Sequence, residues 1–170
     1  IETKNHKLLF DLGASSLFLE NAIALGINLQ AVDTVILSHG HYDHGGGLKT
    51  FLQINDKALI YIKKEAFGDY FSKRESGMEY IGLDKDLSKN QRIILLDKDM
   101  ILDEELSIFS SVEIIEQRFS LNKKLKIKIE EKYIEDDFQH EQNLIIKADN
   151  MKVLIAGCAH NGITNIIRKF

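Results

Sequence analysis

Proline is missing from all 170 residues, where average usage would supply about eight. Turns must therefore be built from Gly, Asn and Asp. Cysteine is nearly absent as well. The lone Cys158 excludes an internal disulfide, fits a reducing cytoplasm, and is expected as a small buried residue at a strand end. No apolar stretch approaches the ~20 residues of a membrane span and no signal peptide is visible, so a soluble cytoplasmic chain with no membrane partner is expected. Neither sign of charge dominates: 22 Lys and Arg stand against 26 Asp and Glu, interspersed, with no basic stripe to hold nucleic acid. The one basic patch, residues 122–129, alternates Leu125, Ile127 and Ile129 with Lys124, Lys126 and Lys128. That alternation reads as a half-buried strand, not a binding patch.

What the chain does have is histidine in one place. Three of its six His fall within His39-Gly40-His41-Tyr42-Asp43-His44, directly after the apolar run Val35-Ile36-Leu37. His39 and His41, two apart in an extended loop, can turn toward one ion, while Asp43 and His44 can reach a second ion close by. His6, beside Lys4 and Lys7, reads as a solvated residue without a role.

The apolar pattern gives one ordinary domain, 44% hydrophobic, with enough material for a core. Residues 7–11 form a short strand, and 15–26 a helix that Ser15 or Ser16 caps and Gly26 ends. Residues 33–38 form a second strand that delivers the His loop at its carboxyl end, where loops converge in α/β sheets. Gly45, Gly46 and Gly47 match neither a P-loop nor a dinucleotide fingerprint and predict a tight backbone passage into a helix over 48–54. A third strand follows at 57–62. Residues 63–90, with Phe67, Tyr70, Phe71 and Tyr80 among charges, predict a helix and loop that either faces substrate or packs its aromatics inward. Strands are expected at 92–96, 112–116, 124–129, 143–148 and 152–156, making the second half predominantly antiparallel. His160, after the last strand and before a helix at 164–167, repeats the placement of His39. It is a candidate third ligand for the ion of His39 and His41, leaving one position open for water.

Taken together, His39-x-His41-x-Asp43-His44, Asp11-Leu12-Gly13 and Gly157-Cys158-Ala159-His160 resemble the metallo-β-lactamase-fold superfamily. Residues 136–142 and 157–163 are similar to its dihydropterin-ribofuranosyl-aminobenzene-phosphate synthase-like branch. The resemblance implies an α/β (α+β) fold: an αβ/βα sandwich of two mixed β-sheets with outer helices, here with an incomplete second half. It implies His39, His41 and His160 as ligands of a first metal, Asp43 and His44 as ligands of a second, and Asp11 as a carboxylate bracing the ligand loop. His140 is expected as a polar neighbour or a surface residue. Family members bring further ligands from segments after the helix near His160, so a chain that starts at Ile1 and stops at Phe170 is expected to be truncated at both ends, with sheet edges that invite a homo-oligomer.

One or two divalent ions are implied, zinc first, with manganese, iron or cobalt compatible with the same donors. Such an ion lowers the pKa of water and polarises an ester, amide, thioester or phosphate of a small-molecule substrate, with Asp43 as the catalytic carboxylate. The alternatives are a condensing enzyme like the synthase branch and a noncatalytic metal-binding module. A di-iron redox protein is disfavoured, because such relatives carry a carboxylate where His41 stands.

Overall fold

The computed structural model describes all residues, 1–170. Twelve strands fall into three four-stranded sheets. The first is all-parallel, in the order β1 (Leu8–Phe10), β2 (Thr34–Ile36), β3 (Leu59–Lys63), β6 (Ile93–Leu96). Helices α1 (Leu17–Ala24) and α3 (Leu48–Ile54) lie in the crossovers between its strands. Parallel strands require such crossovers and are buried on both faces, as the wholly buried Thr34-Val35-Ile36 shows.

Alternation along these strands feeds two cores. Val35, Ile60 and Ile62 pack with Ala22 of α1 and Leu48 and Phe51 of α3. Leu8, Ile36 and Leu96 pack instead against Leu106, Ile108, Leu144 and Ile146 of a second sheet. That sheet is antiparallel, in the order β12 (Met151–Ile155), β11 (Asn143–Ala148), β8 (Leu106–Phe109), β7 (Met100–Ile101). Its other side is covered through Phe109, Val112 and Ile166, the last on α4 (Ile163–Lys169). The layers thus run helix, sheet, sheet, helix. No helix is long and apolar enough to cross a membrane.

The third sheet, β10 (Lys132–Glu135), β9 (Leu125–Ile129), β4 (Tyr70–Arg74), β5 (Gly77–Tyr80), is also antiparallel. It departs from the expectation of two mixed sheets. Its β4–β5 and β9–β10 pairs are hairpins, and the pairing of β4 with β9 joins the two hairpins into one sheet.

Several expectations along the chain need correction. Residues 70–80 form a hairpin, not a helix: Tyr70 and Ser72 point inward at period two, and Gly77 closes a two-residue turn at φ +123°. Residues 112–116 are not a strand. The N–H groups of Ile115 and Glu116 donate to Asn165 Oδ1 at 3.2 and 2.8 Å, so a side chain of α4 replaces a partner strand. Strands β8 and β10 are unanticipated, while the helix over 48–54 stands at the expected residues. The glycine passage is as tight as expected: a Cβ on Gly46 would lie 2.1 Å from the Ala14 carbonyl oxygen.

Candidate metal centre

The loop after β2 carries His39 and His41, and the four-residue helix α2 (Tyr42–Gly45) carries Asp43 and His44. β11 and β12 bring the segment of Cys158 and His160 to the same edge of the sandwich. Ring centroids lie 4.6 Å apart for His39 and His41, 5.0 Å for His39 and His160, and 5.1 Å for His41 and His160. One ligand atom from each of the three falls within 4.8 Å of the others.

The tautomers of two rings are fixed by what their Nδ1 atoms meet. Ser38 Oγ donates to Asp11 Oδ2 at 2.8 Å, so it accepts from His39 Nδ1 at 2.8 Å and leaves Nε2 with a free lone pair. Asn122 Nδ2 donates to the His160 carbonyl, so Asn122 Oδ1 accepts from His160 Nδ1 at 3.1 Å. The Nε2 atoms of His39, His41 and His160 are buried and have no hydrogen-bond partner in the protein, that of His41 standing 3.8 Å from Asp136 Oδ2. Three orphaned imidazole nitrogens in one place are costly unless something accepts their lone pairs. A divalent cation fits that requirement.

Burial also keeps the rings of His39 and His160 neutral, the state a ligand needs. Burial, with the neighbouring imidazoles, pushes His39 well below its usual range and His160 down to about 3. Asp136 behaves oppositely. Burial raises it, but the His140 and His41 rings beside it outweigh that and hold its carboxyl well below the usual carboxylate range.

Asp11 reaches across from the end of β1 with φ +66°. Its carboxylate accepts from Ser38 N, from Ser38 Oγ and, at 2.7 Å, from His44 Nδ1, so it ties the ligand loop to the strand before it. Asp43 joins none of the groups of three converging donors. Its side chain is 56% exposed, with Oδ2 3.7 Å from His44 Nε2. Cys158 is exposed, not buried as expected, and its Sγ lies 3.1 Å from His44 Nε2. His6 is not a solvated residue: its ring lies between Asp33 and Asp103, away from the ligand loop.

The stretch 136–142 does more than its sequence announced. His140 is fully buried; its Nδ1 accepts from Gly40 N at 2.9 Å and its Nε2 donates to Asp136 at 3.0 Å, fixing the backbone between His39 and His41. Glu141 accepts from the N–H groups of His160 and Asn161 and from Asn161 Nδ2, at 2.6, 2.9 and 2.9 Å. Gln142 Nε2 donates to the Leu37 and Tyr61 carbonyls and closes the end of β2 against β3. Phe138 stacks on His160 at 4.6 Å, with the rings 9° from parallel.

Beside the rings a cavity of about 810 Å³ is lined by Arg74, Lys124, Phe119, Leu121, Cys158 and His160, among others, and by no Asp or Glu. Arg74 Nε donates to Glu79 at 3.2 Å, which leaves Lys124 as the lining cation without a carboxylate partner in a recess with apolar walls.

A helix–sheet–sheet–helix sandwich with a histidine cluster at one sheet edge defines a class of metal-binding α/β proteins. Residues 1–112 match the metallo-beta-lactamase superfamily, and the chain belongs to it. It is 32% identical, over 98% of its length and 63% of the relative's, to an uncharacterised protein of Methanocaldococcus jannaschii. It is 29% identical, over 96% of its length and 59% of the relative's, to that organism's 7,8-dihydropterin-6-methyl-4-(beta-D-ribofuranosyl)-aminobenzene-5'-phosphate synthase. The chain therefore spans about three-fifths of the length of these curated relatives. Among solved structures it is similar to Tm1679, a metal-dependent hydrolase of the beta-lactamase superfamily, with a TM-score of 0.77, 29% identity, and coverage of 95% of this chain and 59% of that one.

Proposed function

We propose that the chain is the metal-binding part of a hydrolase acting on an anionic small molecule with an apolar body. The observation that carries this reading is the set of three buried Nε2 atoms of His39, His41 and His160 without a hydrogen-bond partner, the last on a ring that lines a cavity with Arg74 and Lys124 in its wall. Zinc, manganese, iron or cobalt suits these donors, and a divalent ion bound there supplies Lewis acidity and acidifies water. The protein residues do the rest. Arg74 and Lys124 attract and orient the anionic group, and Phe119 and Leu121 cover its apolar part. Asp43, facing solvent within 3.7 Å of His44, accepts the proton released as water attacks.

Similarity to the synthase favours a second reading, a condensation in which the ion orients a phosphorylated substrate. One experiment separates the two. Metal content is measured on protein purified without chelator, and the loaded protein is assayed on lactone, thioester, amide and phosphodiester substrates. Metal-dependent hydrolysis that His39→Ala abolishes supports the hydrolase. Stoichiometric metal with no hydrolysis of any substrate overturns it in favour of the condensing enzyme, and absence of metal overturns both.

A further inference from the structure

We infer that residues 118–124 form a strap that couples the recess to the ion: an anion with an apolar body, seated on Phe119, Leu121 and Lys124, tightens the hold of Asn122 on His160. The inference rests on the metal-binding reading above and adds what selects the ligand and regulates that site.

The strap belongs to the connection from β8 to β9, in which no residue from Val112 to Lys124 pairs with a strand. Side chains hold it instead. Arg118 Nη2 donates to the Asp137 carbonyl and to Asn161 Oδ1, both at 2.7 Å, and the guanidinium lies 5.5 Å from the centroid of the Phe138 ring that stacks on His160. Asn122 grips His160 twice: its Nδ2 donates to the His160 carbonyl at 2.8 Å, and its Oδ1 accepts from His160 Nδ1 at 3.1 Å. The anchors of the strap thus converge on His160.

Its other side chains face the recess. Ser120–Lys124 is a 3₁₀ turn, so Leu121 and Lys124, three residues apart, share one face, while Asn122, one residue along from Leu121, meets His160. Phe119 and Leu121 line the cavity at 71% and 60% exposure, large apolar side chains that folding leaves in water. A ligand that covers both and meets the Lys124 ammonium removes that exposure and restrains the strap. A segment without strand partners opens locally at little cost, so such a ligand shifts it toward the state in which Asn122 holds the ring. Linkage makes the effect mutual. The ion that fixes His160 must tighten the ligand by the factor by which the ligand tightens the ion.

The probe is 8-anilino-1-naphthalenesulfonate, an anion with an apolar body whose fluorescence rises on leaving water. It is titrated into the apo chain and into chain saturated with zinc, and zinc affinity is measured by chelator competition with and without the dye. The expected result is dye binding about fivefold tighter or more with zinc, matched by an equal gain in zinc affinity. Phe119→Ala combined with Leu121→Ala should weaken the dye about tenfold or more and leave zinc affinity without dye unchanged. Asn122→Ala, checked for native circular dichroism and saturated with zinc, should bind the dye no tighter than its own apo form. A dye indifferent to zinc in the wild type, a dye indifferent to the loss of Phe119 and Leu121, or a coupling undiminished in Asn122→Ala, as direct contact of sulfonate with the ion would give, overturns the strap and leaves the ion site standing. No zinc binding by the wild type overturns both.

Discussion

Glu141 is the residue whose removal should do most damage without replacing a candidate ligand. Its carboxylate is 1% exposed and accepts three hydrogen bonds, from the N–H groups of His160 and Asn161 and from Asn161 Nδ2. Glu141→Ala leaves all three donors facing a hole. Each unsatisfied buried donor costs about 1–3 kcal/mol. With some rehydration the loss should come to about 3–6 kcal/mol, a large share of the ~5–15 kcal/mol that holds a typical domain together. Glu141→Gln is the gentler probe. It keeps one oxygen for Asn161 but turns an NH₂ toward the His160 N–H, so about 1–3 kcal/mol should be lost. Burial raises the Glu141 pKa against the hydrogen bonds from Asn161 and His160, so ionising this carboxyl opposes folding, and the neutral amide recovers part of that cost. Urea unfolding measures the stability, and zinc titration of folded Glu141→Gln reads the displacement of His160 as a loss of about ten- to a hundredfold in affinity. Glu141→Ala unfolding within about 1 kcal/mol of the wild type, or Glu141→Gln binding zinc as tightly as the wild type, would refute the anchoring argument.

Ser38→Ala cuts the chain Asp11–Ser38–His39 and frees the His39 tautomer; zinc affinity should fall about tenfold with only about 1 kcal/mol of stability lost, read by competitive titration and urea melts. Gly157→Ala drives a methyl to 2.4 Å from Ser38 Oγ, so it should weaken zinc at least as much as Ser38→Ala and lower the melting temperature. His6 gives a pH signature far from the metal centre. Burial lowers its pKa, but the carboxylates of Asp33 and Asp103 outweigh this and raise it above 6.5. The charged ring therefore contributes stability that is full below pH 6.5 and fades as pH rises through the raised value. Urea midpoints of His6→Gln should accordingly lie below the wild type at pH 6 and converge with it in alkaline buffer.

The parallel half of the fold was legible because its signals are local. Val35-Ile36-Leu37 and Leu59–Ile62 are short apolar runs separated by one helix of clear periodicity, and the HxHxDH loop must follow the strand that delivers it. The 70–80 hairpin was misread because Phe67, Tyr70, Phe71 and Tyr80 mimic a helical spacing. Only the alternation Tyr70/Ser72 and the turn at Gly77 reveal period two. Residues 112–116 look like a strand because three of the five are β-branched, yet their backbone is satisfied by Asn165, some fifty residues away. No local pattern announces such a partner. The same holds for Glu141 and His140. Both stand in a stretch whose family likeness was visible, but their roles depend on contacts with Asn161 and Gly40 that only the tertiary fold creates.

The arrangement of these contacts explains why so polar an edge can be part of a stable domain. Gathering His39, His41 and His160 around one point would be self-repelling if the rings were charged, so burial and mutual proximity keep His39 and His160 neutral. Neutral rings must still place one proton and one lone pair each. Asp11 through Ser38 and Asn122 directly accept the protons of His39 and His160, which turns their remaining lone pairs inward. The folded chain therefore carries an unmet demand for an electron-pair acceptor at one spot, and a cation that meets it binds the folded state in preference to the unfolded one. Ion affinity and fold stability are then coupled through the same atoms. A substitution that loosens Ser38, Asn122 or Glu141 must weaken both the ion and the fold, whereas one at exposed Asp43 should leave the scaffold intact.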